Sequence, residues 1–263
     1  MTLTLRLLSA LIILILMGGS FGSEKPTSTR DKLFKCSLMS WILDRECLMV
    51  LHRIGLTHAE NFSFPLGTIP RIDSAKKNER DLFMKAIVVT VNCVNKIILR
   101  QRELVQLARN RKKRNLPLSN GERQQFDMIC EFYQSKNIDE LLVRVAPVPV
   151  SLAVAQASLE SRFGEDRIIH AQKAYFGLAK TKDTLLSFDS LYKSAIAYAK
   201  TLNVNHCYAK FRKERAAMIA QSQKIDGAKL SPSLGLYGVD KNYRNLVLKI
   251  IKSYGLTSLD RKV

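Results

Sequence analysis

The sequence predicts a mainly α fold, and three stretches carry that prediction. In Val148–Gly164, Pro149 suits a first helical turn, where its missing N–H loses nothing, and no glycine interrupts the run before Gly164. From Asn78 to Asn110, Leu82, Ala86, Val89, Cys93, Ile97 and Leu104 recur at helical spacing, with Lys85, Lys96, Arg100 and Arg102 outside the stripe. From Leu185 to Leu202, Tyr192, Ile196, Ala199 and Leu202 share one helical face.

At the start of the chain, Arg6 precedes an apolar run, Leu7–Met17, and small residues including Gly18, Gly19 and Gly22 lead into polar Ser23-Glu24-Lys25-Pro26. This is the pattern of a secretory signal peptide over residues 1–22. Its apolar core falls short of the roughly 20 residues that span a bilayer, which favours cleavage near Gly22 over a retained membrane anchor. No cysteine follows the small residues, so a lipoprotein is disfavoured. Residues 23–77 read as an extension: a polar linker, an amphipathic segment around Phe34 to Ile54, and a Pro/Gly-bearing loop near Phe64 to Pro70. Trp41 lies beside Ile42 and Leu43 and reads as core rather than as a sugar platform.

Residues 78–145 predict three packed helices. The long first one is broken by Leu116–Glu122, within which Ser119 and Glu122 have the spacing of a capping box for a second helix running to about Gln134. The third covers Ile138 to Arg144. Residues 146–263 form the remaining region and open on the Pro149 helix. There Leu152, Ala155, Gln156, Leu159 and Phe163 make a core-facing stripe. Beside it Ala153, Ala157 and Glu160 put one carboxylate on an otherwise uncharged face, where small residues admit another backbone or a sugar ring. A carboxyl in a half-apolar groove loses hydration of its charged form and holds a proton near neutral pH, as a general acid must. The bland reading is a carboxylate that accepts hydrogen bonds at a helix end or pairs with Arg162 or Arg167. Beyond Gly164 the chain passes through Tyr175-Phe176-Gly177-Leu178, the helix to Leu202, another from Tyr208 to about Ser222, a Gly/Pro/Ser loop, and a final amphipathic helix from Tyr243 to Tyr254.

Five motifs resemble those of one family. Ala155-Gln156-Ala157-Ser158-Leu159-Glu160-Ser161-Arg162-Phe163-Gly164 is similar to "AQAALESGWG", and Leu141–Pro149 to "LLxRVDxVP". Ala174–Leu178 stands where that family has "NNLFGI", with Lys173 and Ala174 or their neighbours in place of its asparagines. Phe188 to Tyr208 resembles "FDSxxxSVxxYxxNLNxxxAY", and Tyr237 to Tyr243 the late element "YATDxxY". These are motifs of the bacterial glucosaminidase-domain family of autolysins and flagellar peptidoglycan hydrolases, with the branch called Bax the nearest in pattern. The resemblance implies a lysozyme-like glucosaminidase domain, no cofactor, Glu160 as the catalytic acid, and Gln156, Tyr175, Phe176, Gly177 and Tyr237 along the substrate groove. It also exposes a departure. The family's β-hairpin, which often carries a second carboxylate, is reduced here to Ala179–Ser187, leaving Asp183 as the candidate for that role with Glu165 and Asp166 as competitors.

Charge bounds the partners. The chain holds 42 Lys+Arg against 23 Asp+Glu, for a formal charge of +19. Behind a signal peptide such a balance points to the cell wall or to anionic lipid headgroups, not to nucleic acid. The densest basic cluster, Arg109 with Arg111 to Arg114, reads equally as a binding patch or as a solvated helix end. The five cysteines, Cys36, Cys47, Cys93, Cys130 and Cys207, are odd in number, which precludes complete pairing, and read as buried thiols, with a disulfide the alternative in an oxidising compartment. His52, His58, His170 and His206 form no H-x-x-x-H pair, so no metal is expected and a zinc amidase, a label sometimes attached to the family, is disfavoured. The expectation is an exported enzyme that cleaves N-acetylglucosaminyl linkages of peptidoglycan strands in the periplasm or cell envelope. The alternative is a peptidoglycan-binding module that lost turnover with its hairpin.

Overall fold

A computed structural model describes residues 77–181, 184–234 and 241–263. The expectations for the leader, the extension before Lys77, Trp41, Cys36, Cys47, Asp183 and Tyr237 lie outside the described residues.

The mainly α expectation holds. Helix α1, Lys77–Lys113, is 37 residues long. At 1.5 Å per residue that is a rod of about 55 Å. Among the described residues it alone is long and apolar enough to cross a membrane, yet half of that window is buried inside the protein. Its inner face is wider than the predicted stripe, with Phe83, Ile87, Val91, Val94, Ile98 and Val105 all in the core. Leu82, placed first in that stripe, is instead 50% exposed, because Phe83 takes the inward position. Arg102, expected to face solvent, turns inward and donates to the Leu142 and Val145 carbonyls.

The capping box forms as expected at helix α2, Asn120–Phe132: the Glu122 N–H donates to Ser119 Oγ while the Ser119 N–H donates to the Glu122 carboxylate. Helix α3, Ile138–Arg144, is capped by Asn137, whose side-chain oxygen accepts from the Asp139 and Glu140 N–H groups. The following Val145–Pro149 segment is tied to the rest by side chains. The Asn95 amide of α1 donates to the Val148 carbonyl and accepts from the Val148 N–H. Arg215 donates to the carbonyls of Val143, Ala146 and Pro147 and to the Asn203 side chain.

Helix α4, Val150–Ser161, departs from the two-faced expectation. Every residue from Val150 to Ser158 is buried, so Ala153 and Ala157 face neighbouring elements rather than an open groove. It packs against α1, the C-terminal helix and the tail. Its first turn has no local side-chain cap, and a carboxylate from the tail supplies one: Asp260 accepts from the Ser151 N–H and hydroxyl and from the Gly227 N–H. Gly227 is needed there, since a Cβ would lie 2.2 Å from Ser151 Oγ.

Helix α5, Arg167–Gln172, starts at Asp166, which caps it. The reduced hairpin survives as a minimal antiparallel pair, β1 (Ala179–Thr181) with β2 (Thr184–Leu185). Helix α6, Leu191–Val204, begins later than the sequence pattern implied, because Leu185 pairs in β2 and the Ser190 hydroxyl caps the helix at the Lys193 N–H. Helix α7 (Ala209–Ala220), a short α8 (Gly227–Leu230) and α9 (Lys241–Ser253) follow. A single hydrophobic cluster runs from Phe83 to Leu256, so the helices before and after residue 145 share one core. Cys93 and Cys130 are buried and Cys207 is half-buried, all as thiols.

Candidate active site

Glu160 sits half-buried in the last turn of α4. The helix stops just beyond it because the backbone turns left-handed for three residues, Arg162 (φ 51°), Phe163 (φ 58°) and Gly164 (φ 86°). The Ser161 hydroxyl closes this turn by accepting from the Gly164 N–H and donating to the Ala157 carbonyl. Gly164 itself lies on Phe83 of α1, at a spot where a Cβ would come within 2.9 Å of the ring.

Gly177 covers the carboxyl from the other side. Its φ of 64° suits glycine, and a Cβ there would stand 2.4 Å from Glu160 Oε2. The loop bearing it is anchored by aromatic residues. Phe176 stacks on Tyr198 of α6, with ring centroids 4.3 Å apart, and Tyr175 packs against Phe83 and His170. Tyr175 and Phe176 are each 1% exposed, so of the expected groove residues these two form the buried support of the loop. The Tyr175 hydroxyl is buried without a hydrogen-bond partner, and burial pushes its pKa up.

Gln156 lies one helical turn before Glu160 on the same side of α4 and is 1% exposed. The Tyr198 hydroxyl donates to its Oε1 at 2.7 Å, and its Nε2 donates to the Tyr243 hydroxyl at 3.2 Å. Tyr243, on the first turn of α9, is in turn hydrogen-bonded to Glu160. Burial, then the Glu160 charge and that hydrogen bond, hold the Tyr243 pKa well above its ordinary value. Tyr198 is raised as well, chiefly by burial. Both tyrosines are therefore neutral O–H groups at physiological pH. The sequence reading placed Tyr243 at a helix start and put the site's tyrosine at Tyr237; Tyr243 and Tyr198 are the partners it missed. Both are tyrosines of the motifs already noted, so position within the motifs was the available signal.

The two carboxylates that compete with Asp183 have other partners. Glu165 pairs with Arg80 at 3.3 Å, and Asp166 caps α5. No group of three or more His, Cys, Asp or Glu residues that could hold a metal occurs among the described residues.

Comparison with known proteins bears on this geometry. Residues 139–256 match the family described as mannosyl-glycoprotein endo-beta-N-acetylglucosaminidase, named Glucosaminidase. This segment is similar to glucosaminidase domains. It contains α4, the Gly177 loop, Tyr198 and Tyr243, so the whole hydrogen-bonded chain ending at Glu160 falls inside the match. Protein bax of Escherichia coli (strain K12) is 28% identical over 116 residues, which cover 40% of this chain and 42% of that protein. The aligned part is thus less than half of either protein. No solved structure matches significantly. Both likenesses support a Bax-type glucosaminidase-domain protein.

Proposed function

We propose that this protein is an exported peptidoglycan hydrolase that cleaves N-acetylglucosaminyl linkages, with Glu160 as the general acid. The observation that carries the reading is the setting of Glu160 inside the matched segment: half-buried at the end of an apolar helix, held by a neutral tyrosine and crossed by the Gly177 backbone. A carboxyl so placed is shielded enough to hold a proton and fixed enough to deliver it to a departing sugar oxygen. As that bond breaks, positive charge develops at the anomeric carbon. The substrate's own 2-acetamido group or Asp183 supports that charge or directs water, and Tyr237 lines the site. The engagement of Glu165 and Asp166 in structural contacts favours Asp183 over them. Export rests on the residue 1–22 pattern. Contact with anionic wall or lipid rests on the charge of +19 and on exposed Lys112, Lys113 and Arg114 at the end of α1.

The short β1–β2 pair favours a second reading, glycan binding without turnover. Digestion of purified peptidoglycan by the protein and by Glu160→Gln, followed by borohydride reduction and mass spectrometry, separates the two. The hydrolase reading expects fragments ending in reduced N-acetylglucosamine from the native protein only. Fragments ending in reduced muramic acid would keep the enzyme and change the bond. No fragments from either protein, with both sedimenting on the wall, would leave the binding module.

A further inference from the structure

The hydrogen-bonded chain behind Glu160 has a direction, and its far end, Tyr198, is buried. A carboxylate only accepts, so Tyr243 donates to ionised Glu160 and its oxygen is left to accept. Gln156 meets that need with Nε2, which turns its Oε1 toward Tyr198, and the Tyr198 hydroxyl donates there. Reversing the Gln156 amide would place its oxygen against the Tyr243 hydroxyl and draw that hydrogen away from Glu160. A hydroxyl on α6 thus donates to the amide oxygen on α4, and the N–H of that amide supports the oxygen of a hydroxyl on α9. Phe176 stacks on the same Tyr198 ring, so the loop that covers Glu160 and the relay beneath it share one anchor.

We propose that Tyr198 and Gln156 are positioning residues that aim the Tyr243 hydroxyl at Glu160 and thereby set the proton affinity of the carboxyl. The proposal rests on the reading of Glu160 as the acid, and a mechanism follows from it. Burial of a carboxyl favours its protonated form, whereas a donated hydrogen bond favours the ionised form, and an acid that must give up its proton in each turnover needs both. The charged and titratable groups on the elements around Glu160 include Arg80 and Asp81 on α1, Arg162 and Glu165 just after α4, His170 and Tyr175, Tyr192 and Tyr198 on α6, and Tyr243 and Arg244 on α9. Arg80 is committed to Glu165, and Arg244 donates to the Pro232 carbonyl.

The test is a carboxyl titration by NMR of the full chain with 13C-labelled glutamate, the Glu160 signal being identified by its loss in Glu160→Gln. Tyr243→Phe gives the full effect of losing the donor. Tyr198→Phe, which removes one neutral oxygen that does not touch Glu160, is expected to raise the Glu160 midpoint by about 0.5 pH or more in the same direction. Gln156→Leu, which removes the hydrogen bond to the Tyr243 oxygen, is the second variant should Tyr198→Phe not fold, and is expected to act likewise. A Glu160 midpoint that moves in Tyr243→Phe but stays put in folded Tyr198→Phe and Gln156→Leu overturns the relay, as does no movement in any of the three. The titration needs no turnover, so its result stands apart from the peptidoglycan digestion. If the native protein does cleave glycan, the alkaline limb of its pH profile moves upward in the same variants.

Discussion

Arg162 occupies a left-handed backbone position, φ 51°, immediately after α4, and its side chain is exposed. For a residue with a Cβ that conformation costs about 1–2 kcal/mol, which glycine avoids. Arg162→Gly therefore removes strain without removing a buried contact, and is expected to raise stability by about 1 kcal/mol in chemical denaturation, after the larger backbone freedom of unfolded glycine is set against it. The family pattern "AQAALESGWG" has glycine at this position. Lys173, at φ 51°, likewise stands where the family has asparagine, a residue that tolerates the left-handed region. Both departures were visible in the motif comparison, but the backbone conformation that gives them a cost was not, because neither arginine nor lysine signals a left-handed turn.

At the scale of elements, the sequence reads best where the partners of a motif are close together in the chain. The Ser119–Glu122 box is an example, and it makes α2 responsive to acid. Hydrogen bonds from the Ser119 side chain and backbone, with the Arg111 charge adding to them, hold the Glu122 carboxyl below its ordinary 4.5. A carboxylate with a depressed folded-state pKa contributes stability that is complete above its unfolded value and is lost as pH falls through the folded one. Glutamine at 122 retains an acceptor but has no charge to titrate. The difference in thermal midpoint between native protein and Glu122→Gln is therefore expected to be widest above the ordinary carboxylate range and to close as pH falls below it. Helix α4 was less legible for the opposite reason. The small residues of its uncharged face admit another backbone or a sugar ring, and it is α1, α9 and the tail that pack against the helix, while its cap, Asp260, lies 109 residues away from Ser151.

For the molecule as a whole, Arg215 joins the parts. It is 0% exposed, and its guanidinium donates to carbonyls at the end of α3, to those of Ala146 and Pro147, and to Asn203 on α6. Burial, with Arg212 and Arg102 nearby, pushes it down to about 9, which leaves it charged at neutral pH. Helix-end carbonyls are favourable neighbours for a cation, but the group replaces water for several acceptors at once. Arg215→Met keeps much of the volume and strands those carbonyls, with an expected loss of about 3 kcal/mol or more in urea unfolding. Nothing in the local pattern of α7 marks Arg215 apart from the exposed basic residues around it.

The sequence alone determined the helical class, most helix positions, the Ser119–Glu122 cap and the shortened hairpin, and it pointed to Glu160, because periodicity, capping spacing and motif order are properties of short stretches. Only the tertiary structure decided that Gln156 is buried between the Tyr198 and Tyr243 hydroxyls, that Tyr243 is hydrogen-bonded to the carboxyl, and that Gly177 closes over it. Those contacts join α4, α6, α9 and a loop, and the distance between such residues is fixed by packing of the core, which no local pattern records.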